Sequence, residues 1–208
     1  RLTASQRFEM TSDMDHAQVL NKVLKADIQN IRSTLDELDV NAFETAIEKI
    51  LQARTIYVLG LRASAPIAEF FAHYLKFIFP NVRVVTSGVS DVFEQLARIS
   101  EGDLLIGISF PRYTSRSIEA MEFARSCGAS LIAITDGPLS PLHATADTCL
   151  MAKSDMSSFV DSFAAPLSLI NALIVALGQR RRREVTDYFD SMEQIWDKYD
   201  VYLAKSGE

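Results

Sequence analysis

Five short runs of almost unbroken apolar residues, each followed by helical spacing or a turn-rich loop, constrain the fold of this 208-residue chain more than any other feature. The runs are Thr55 to Leu59, Val82 to Thr86, Leu104 to Ser109, Leu131 to Thr135 and Thr148 to Met151. A strand with one wet face alternates apolar and polar residues, whereas a strand covered on both faces has no reason to. Helical patterns separate the first four runs, at about Ala65 to Phe79, Asp91 to Ile99 and Ser115 to Cys127. This alternation predicts a parallel sheet with helices on both sides, an α/β sandwich of the doubly wound kind. With 48% apolar residues the chain can bury a core that outweighs the entropy lost on ordering, which excludes disordered and fibrous classes.

Helices also flank the alternating region. From Leu20 the apolar residues recur as Leu24, Ile28, Ile31, Leu35 and Leu38, one stripe of an amphipathic helix. Such a stripe suits packing on the chain's own domain, a dimer seam, or a connector to an upstream domain. Asn41 with Glu44 three residues on predicts a capping box for a second helix, which ends near Arg54. Val160 to Leu177 reads as a buried helix, with Pro166 marking a kink or a late start. The basic run Arg180 to Arg183 then favours the negative end of that helix's dipole. Beyond it, Val185, Tyr188, Phe189, Met192, Ile195, Trp196, Tyr199 and Tyr202 form one stripe of a last helix, core or interface. These stripes exceed what one sheet domain can cover, so a homodimer or a tetramer made of two dimers is expected.

Charge and cysteine content remove several functions. With 21 basic against 27 acidic side chains, a net charge of -6, the chain alone has no overall attraction for a nucleic acid. Cys127 and Cys149 are too few for a disulfide framework and lack the spacing and His neighbours of a zinc site, so they read as small buried hydrophobes. No metal or cofactor is expected, and a reducing cytoplasm fits. The most apolar stretch, Pro166 to Leu177, is short for a bilayer and carries Ser168 and Asn171, so no membrane partner is expected. The chain starts at Arg1 with neither an initiator Met nor a signal peptide's apolar centre, which suggests a fragment or a processed form.

In an open parallel sheet, ligands bind beyond the carboxyl ends of the strands near the point where strand order reverses. After the first run comes Gly60-Leu-Arg-Ala-Ser64, where Gly60 allows a tight turn, Ser64 can cap the following helix, and Arg62 can hold an anion at the helix N-terminus. After the third comes Ser109-Phe-Pro-Arg-Tyr-Thr-Ser115, with hydroxyls for a phosphate, Thr114 or Ser115 as N-cap, and the Arg112 fork beside Tyr113. Ser87 in the loop after the second run, the Asp136 to Leu142 loop and the patch Lys153 to Ser158 are polar and turn-rich.

The loop after the third run, the segment Gly128 to Asp136, and the following Ser140-Pro-Leu and Ala146-Asp147 together resemble a SIS (sugar isomerase) domain. More closely, residues 20 to 200 resemble the effector domain of RpiR-type bacterial transcriptional regulators. The resemblance implies a five-stranded sheet in the flavodoxin-like order 2-1-3-4-5, with residues 1–40 as linker and connecting helix and 41–208 as the SIS domain. It also implies a DNA-reading helix-turn-helix domain absent from this chain, through which alone DNA would be bound. Family members hold phosphosugars with Ser-x-Ser-Gly-x-Thr-x-Glu, of which this chain keeps Ser109 and Thr114 but has Pro111, Arg112 and Arg116 for the second Ser, the Gly and the Glu. The first loop's Gly-x-Gly-x-Ser keeps Gly60 and Ser64 and has Arg62 for its middle Gly. Two glycines lost and two arginines gained leave less room for backbone to approach a phosphate but add positive charge.

The expectation is therefore a sensor that binds a small anionic sugar or phosphosugar through Gly60, Arg62, Ser64, Ser87, Ser109, Arg112, Tyr113 and Thr114, and alters dimer geometry. The alternative is an aldose-ketose isomerase, which needs an acid and a base. The candidates Glu94, Asp136, His143 and Asp155 form no recognisable pair in the sequence.

Overall fold

The computed structural model describes residues 3–202; the expected domain boundaries at 1 and 208 lie outside them. Strands form at Ile56–Gly60 (β1), Val82–Val85 (β2), Leu104–Ile108 (β3), Ser130–Thr135 (β4) and Thr148–Met151 (β5). They make one all-parallel sheet in the order β2-β1-β3-β4-β5, so β1 and β3 are neighbours, with Ile56 opposite Leu104 and Gly60 opposite Ile108. Every residue of β1 and β3 is buried, which is why these runs show no alternation.

The helices are Ala4–Glu9 (α1), His16–Asp36 (α2), Val40–Gln52 (α3), Ala65–Leu75 (α4), Val92–Gln95 (α5), Ser115–Ser126 (α6), Pro141–Thr145 (α7), Ala164–Arg180 (α8) and Arg182–Lys198 (α9). Successive strand residues point to opposite faces, and each face has its own core. Ile56, Val58 and Ile106 pack with Ile50 of α3, Phe71 of α4 and Ile170 of α8. Tyr57, Leu59 and Leu105 pack with Leu96, Met121 of α6 and Leu142 of α7 on the other side.

Several local expectations are corrected. Asp39, not Asn41, caps α3: its side chain accepts from the Ala42 N–H, and the helix starts one residue before Asn41. The helices expected to run to Phe79 and from Asp91 to Ile99 stop sooner, at Leu75 and Gln95. α8 starts at Ala164 rather than Val160, because Pro166 lacks an N–H and is at home only in a first turn. The basic run does lie at the carboxyl end of α8, as expected, with Arg180 in its last turn, where Arg180 pairs with Glu48 and Arg181 with Glu184 at the surface. Tyr188 of α9 stacks on Phe77 at 5.0 Å between ring centroids, but no residue of α9 is buried. Both cysteines are free and half-buried, and burial, helped by the Asp136 charge, pushes the Cys149 thiol up to about 11.

At the amino edge of the sheet Asp103 is 2% exposed and takes a two-point contact from Arg54, Nε to Oδ1 at 3.0 Å and Nη2 to Oδ2 at 2.9 Å. The Ser100 N–H adds a third bond at 2.9 Å. Burial works to raise the Asp103 pKa, but the bonds from Arg54, Ser100 and Thr55 outweigh it and hold the carboxyl below its ordinary range.

Candidate functional site

At the opposite edge, the loops after β1 and β3 enclose a cleft of about 490 Å³. Its wall includes Arg62, Ser64, Ser109, Arg112, Tyr113 and Thr114, so six of the eight expected residues meet there. β1 and β3 adjoin while the chain continues outward from them in opposite directions, which is the switch point where a doubly wound sheet opens a crevice. Ser87 lies in an adjoining cleft of about 500 Å³, which shares Leu61, Arg62 and Thr114 with the first.

Gly60 has a different role from the one expected. It is not among the residues with positive φ, so no tight turn explains it. A Cβ there would meet the Ser64 carbonyl oxygen at 2.5 Å and the Ala68 Cβ at 2.6 Å. Gly60 lets the strand end press against the start of α4. Ser64 closes a short 3-10 turn, Arg62–Ser64, and makes no side-chain cap bond, contrary to the expected cap; its side chain lines the cleft instead. Thr114 does cap α6, accepting from the Ser117 N–H at 3.2 Å. α6 thus opens in the cleft wall, with Thr114 and Ser115 lining it, and the positive end of its dipole faces the space.

Arg62 has φ of 55° and Arg112 has φ of 74°. Both stand where the resembled family patterns have glycine, and both keep the left-handed backbone that glycine adopts freely. A side chain in that conformation costs about 1 kcal/mol or more. Both are exposed, and among the described residues neither guanidinium makes an ion pair or a hydrogen bond. Among the described residues the only acid in the wall is Asp161, against two arginines, so the cleft favours an anion.

Tyr113 is fixed by donating its hydroxyl to Asp136 Oδ1 at 2.5 Å, and Thr135 donates to the same oxygen at 3.2 Å. Of the candidate acid-base residues, Asp136 is held by these bonds and Glu94 accepts from the Asp91 N–H. Asp155 is bonded through its main chain to Asn30, and His143 is exposed on α7. None of the four lines the cleft.

Phe159, Asp161 and Phe163 complete the wall and are not among the expected residues: Asp161 and Phe163 fall inside the helix expected from Val160, and Phe159 lies between that helix and the polar patch ending at Ser158. They belong to the loop between β5 and α8. That loop is also stitched to α2. Asn30, 2% exposed, donates to the Asp155 carbonyl at 2.9 Å and to Ser162 Oγ at 3.1 Å, and accepts from the Asp155 N–H at 3.2 Å. Ser162 donates to Asp27 at 2.6 Å, and the Lys153 N–H donates to Thr34 at 2.8 Å.

The family model for the SIS domain matches residues 49–176, the stretch that contains the whole sheet and both cleft loops. The chain belongs to the SIS domain family. Its relatives include HTH-type transcriptional regulators. An HTH-type transcriptional regulator of Caldanaerobacter subterraneus is 28% identical over 193 residues, covering 89% of this chain and 67% of that protein. The regulator HexR of Pseudomonas aeruginosa is 33% identical over 132 residues, covering 62% of this chain and 45% of HexR. The chain thus spans about half to two thirds of these relatives' length. Among solved structures, the sugar isomerase domain of an RpiR transcription factor from Sphaerobacter thermophilus superposes with a TM-score of 0.81 at 28% identity, covering 85% of this chain and 99% of that one. The Vibrio vulnificus NanR protein complexed with ManNAc-6P shares the fold, with a TM-score of 0.75 at 18% identity over 97% of this chain and 75% of NanR.

Proposed function

We propose that this SIS domain is the sensor of a transcriptional regulator of carbohydrate metabolism, binding a phosphosugar or sugar acid in the β1–β3 cleft without turning it over. The observation that carries the reading is the pair of strained arginines, Arg62 and Arg112, without partners among the described residues, on a cleft that α6 also makes positive. Backbone strain persists where a function needs the side chain it displays. The complex of the fold relative NanR with ManNAc-6P supports a sugar ligand of this class. The isomerase alternative needs an acid and a base on the substrate, and among the described residues the cleft wall holds one carboxylate, Asp161, and no histidine, while the Tyr113 phenol is bonded to Asp136.

Transmission runs through the β5–α8 loop. The loop's side chains at 159, 161 and 163 meet the ligand space, while its 153, 155 and 162 positions bond to α2. A ligand preferring one loop position thereby prefers one α2 position, and its leverage equals its differential affinity for the two. DNA contact belongs to a helix-turn-helix region outside this chain.

Calorimetry with a panel of sugar phosphates and sugar acids, with product analysis alongside, tests the reading. Arg112→Ala removes a charge-assisted contact and is expected to weaken binding roughly tenfold to a hundredfold. Unchanged affinity in Arg112→Ala rejects the site, and accumulation of product replaces the sensor with the isomerase.

A further inference from the structure

The outward stripe of α2 has the layout of a helix-pairing seam. Asn21, Leu24, Ile28, Ile31 and Leu35 follow a spacing of three, four, three and four, which sets Asn21, Ile28 and Leu35 at position a of a heptad and Leu24 and Ile31 at d. The four apolar members are 53%, 49%, 40% and 69% exposed in chain order, far more than a satisfied helix face allows. Positions c and f hold Val23, Ala26, Asn30 and Ser33, all buried or half-buried against the domain. In a heptad the c/f side lies opposite the a/d side. The seam therefore points directly away from its own domain, and no other part of the described chain covers it.

We propose that a second copy of this chain covers it, the two α2 helices pairing as a parallel, in-register, two-stranded coiled coil. Charge sets the orientation. In parallel pairing each g position faces the partner's e position five residues on, so Asp27 meets the partner's Arg32, once on each side of the seam. Antiparallel pairing sets e against e and brings Lys25 towards the partner's Arg32, like against like. Asp27 Oδ1 is occupied by Ser162, which leaves Oδ2 for the partner's Arg32. Asn21 meets its own copy at a, the placement by which one polar residue specifies register and a two-stranded state. The seam does not depend on what the cleft binds.

Sedimentation velocity of the 208-residue chain over roughly 1–100 µM, spanning ordinary homodimer affinities, tests the surface. The chain is expected to dimerise, and Leu24→Glu with Ile31→Glu to raise the dimer dissociation constant more than about a hundredfold, as loss of central apolar anchors does. Orientation is read by oxidation. Parallel pairing gives a disulfide between two Asn21→Cys side chains; antiparallel pairing instead links an Asn21→Cys chain to a Leu38→Cys chain when the two are mixed. A monomer at about 100 µM, a dimer indifferent to the glutamates, or the mixed cross-link alone overturns the proposal. If circular dichroism shows the double glutamate variant unfolded, the cross-links decide.

Discussion

Arg54 precedes β1 by two residues and Arg62 follows it by two, yet the two ends of the strand use arginine in opposite ways. Arg54 is folded onto the buried Asp103, its fork matched atom for atom, next to the start of β3. Arg62, and Arg112 beyond the end of β3, accept a strained backbone and hold guanidinium groups with no partner among the described residues. One edge of the same strand pair is finished by folding, and the other is left open, as the proposed ligand site requires. An arginine's meaning is thus set by whether the fold itself supplies the anion.

Breaking the finished edge has the largest expected effect on stability. Asp103→Ala removes the acceptor for Arg54 and Ser100 and should cost about 1.5–3 kcal/mol, read as a lower urea midpoint. Its pH signature follows from the depressed carboxyl. The unfolded chain binds a proton near pH 3.9 and the folded chain only below that, so the contribution is complete above about pH 4 and fades as pH falls through the folded value. The wild type should lose stability in acid more steeply than Asp103→Ala.

At the open edge the sign reverses. Arg112→Gly relieves the left-handed strain and should stabilise the fold by up to about 1 kcal/mol while weakening anion binding. A glycine variant less stable than wild type would show that the arginine is held by contacts within the domain, collapsing the contrast. The smallest effect belongs to Arg116, which lies beside the cleft but is already paired with Asp91 at 2.7 Å and Glu119 at 3.2 Å. Arg116→Ala should change sugar affinity less than about twofold by calorimetry, as expected of an exposed pair.

The sheet was legible because burial on both faces writes itself as apolar runs, the cleft loops because they follow the first and third of those runs, and the strand order came with the family resemblance. Three things were less legible, each for a physical reason. Asp39 and Asn41 are both good N-caps two residues apart, and only the backbone chooses between them. Gly60 looked like a turn residue because its true constraint, the Ser64 carbonyl, is fixed by three-dimensional packing. Val160 and Phe163 lead into the apolar run of α8 and fit helical spacing, so Asp161 and Phe163 of the far wall were hidden inside an expected helix.

The bonding of Asn30 makes α2 a lever with a defined fulcrum. Asn30 is locked to the β5–α8 loop by three hydrogen bonds, and the helix extends fourteen residues from it back to His16. At 1.5 Å of rise per residue that arm is about 21 Å long, so a tilt of about 10° at the fulcrum displaces the far end by about 4 Å. A shift too small to remodel the cleft can therefore become a displacement of about two thirds of a helical turn's rise, delivered where the chain leads toward whatever precedes it.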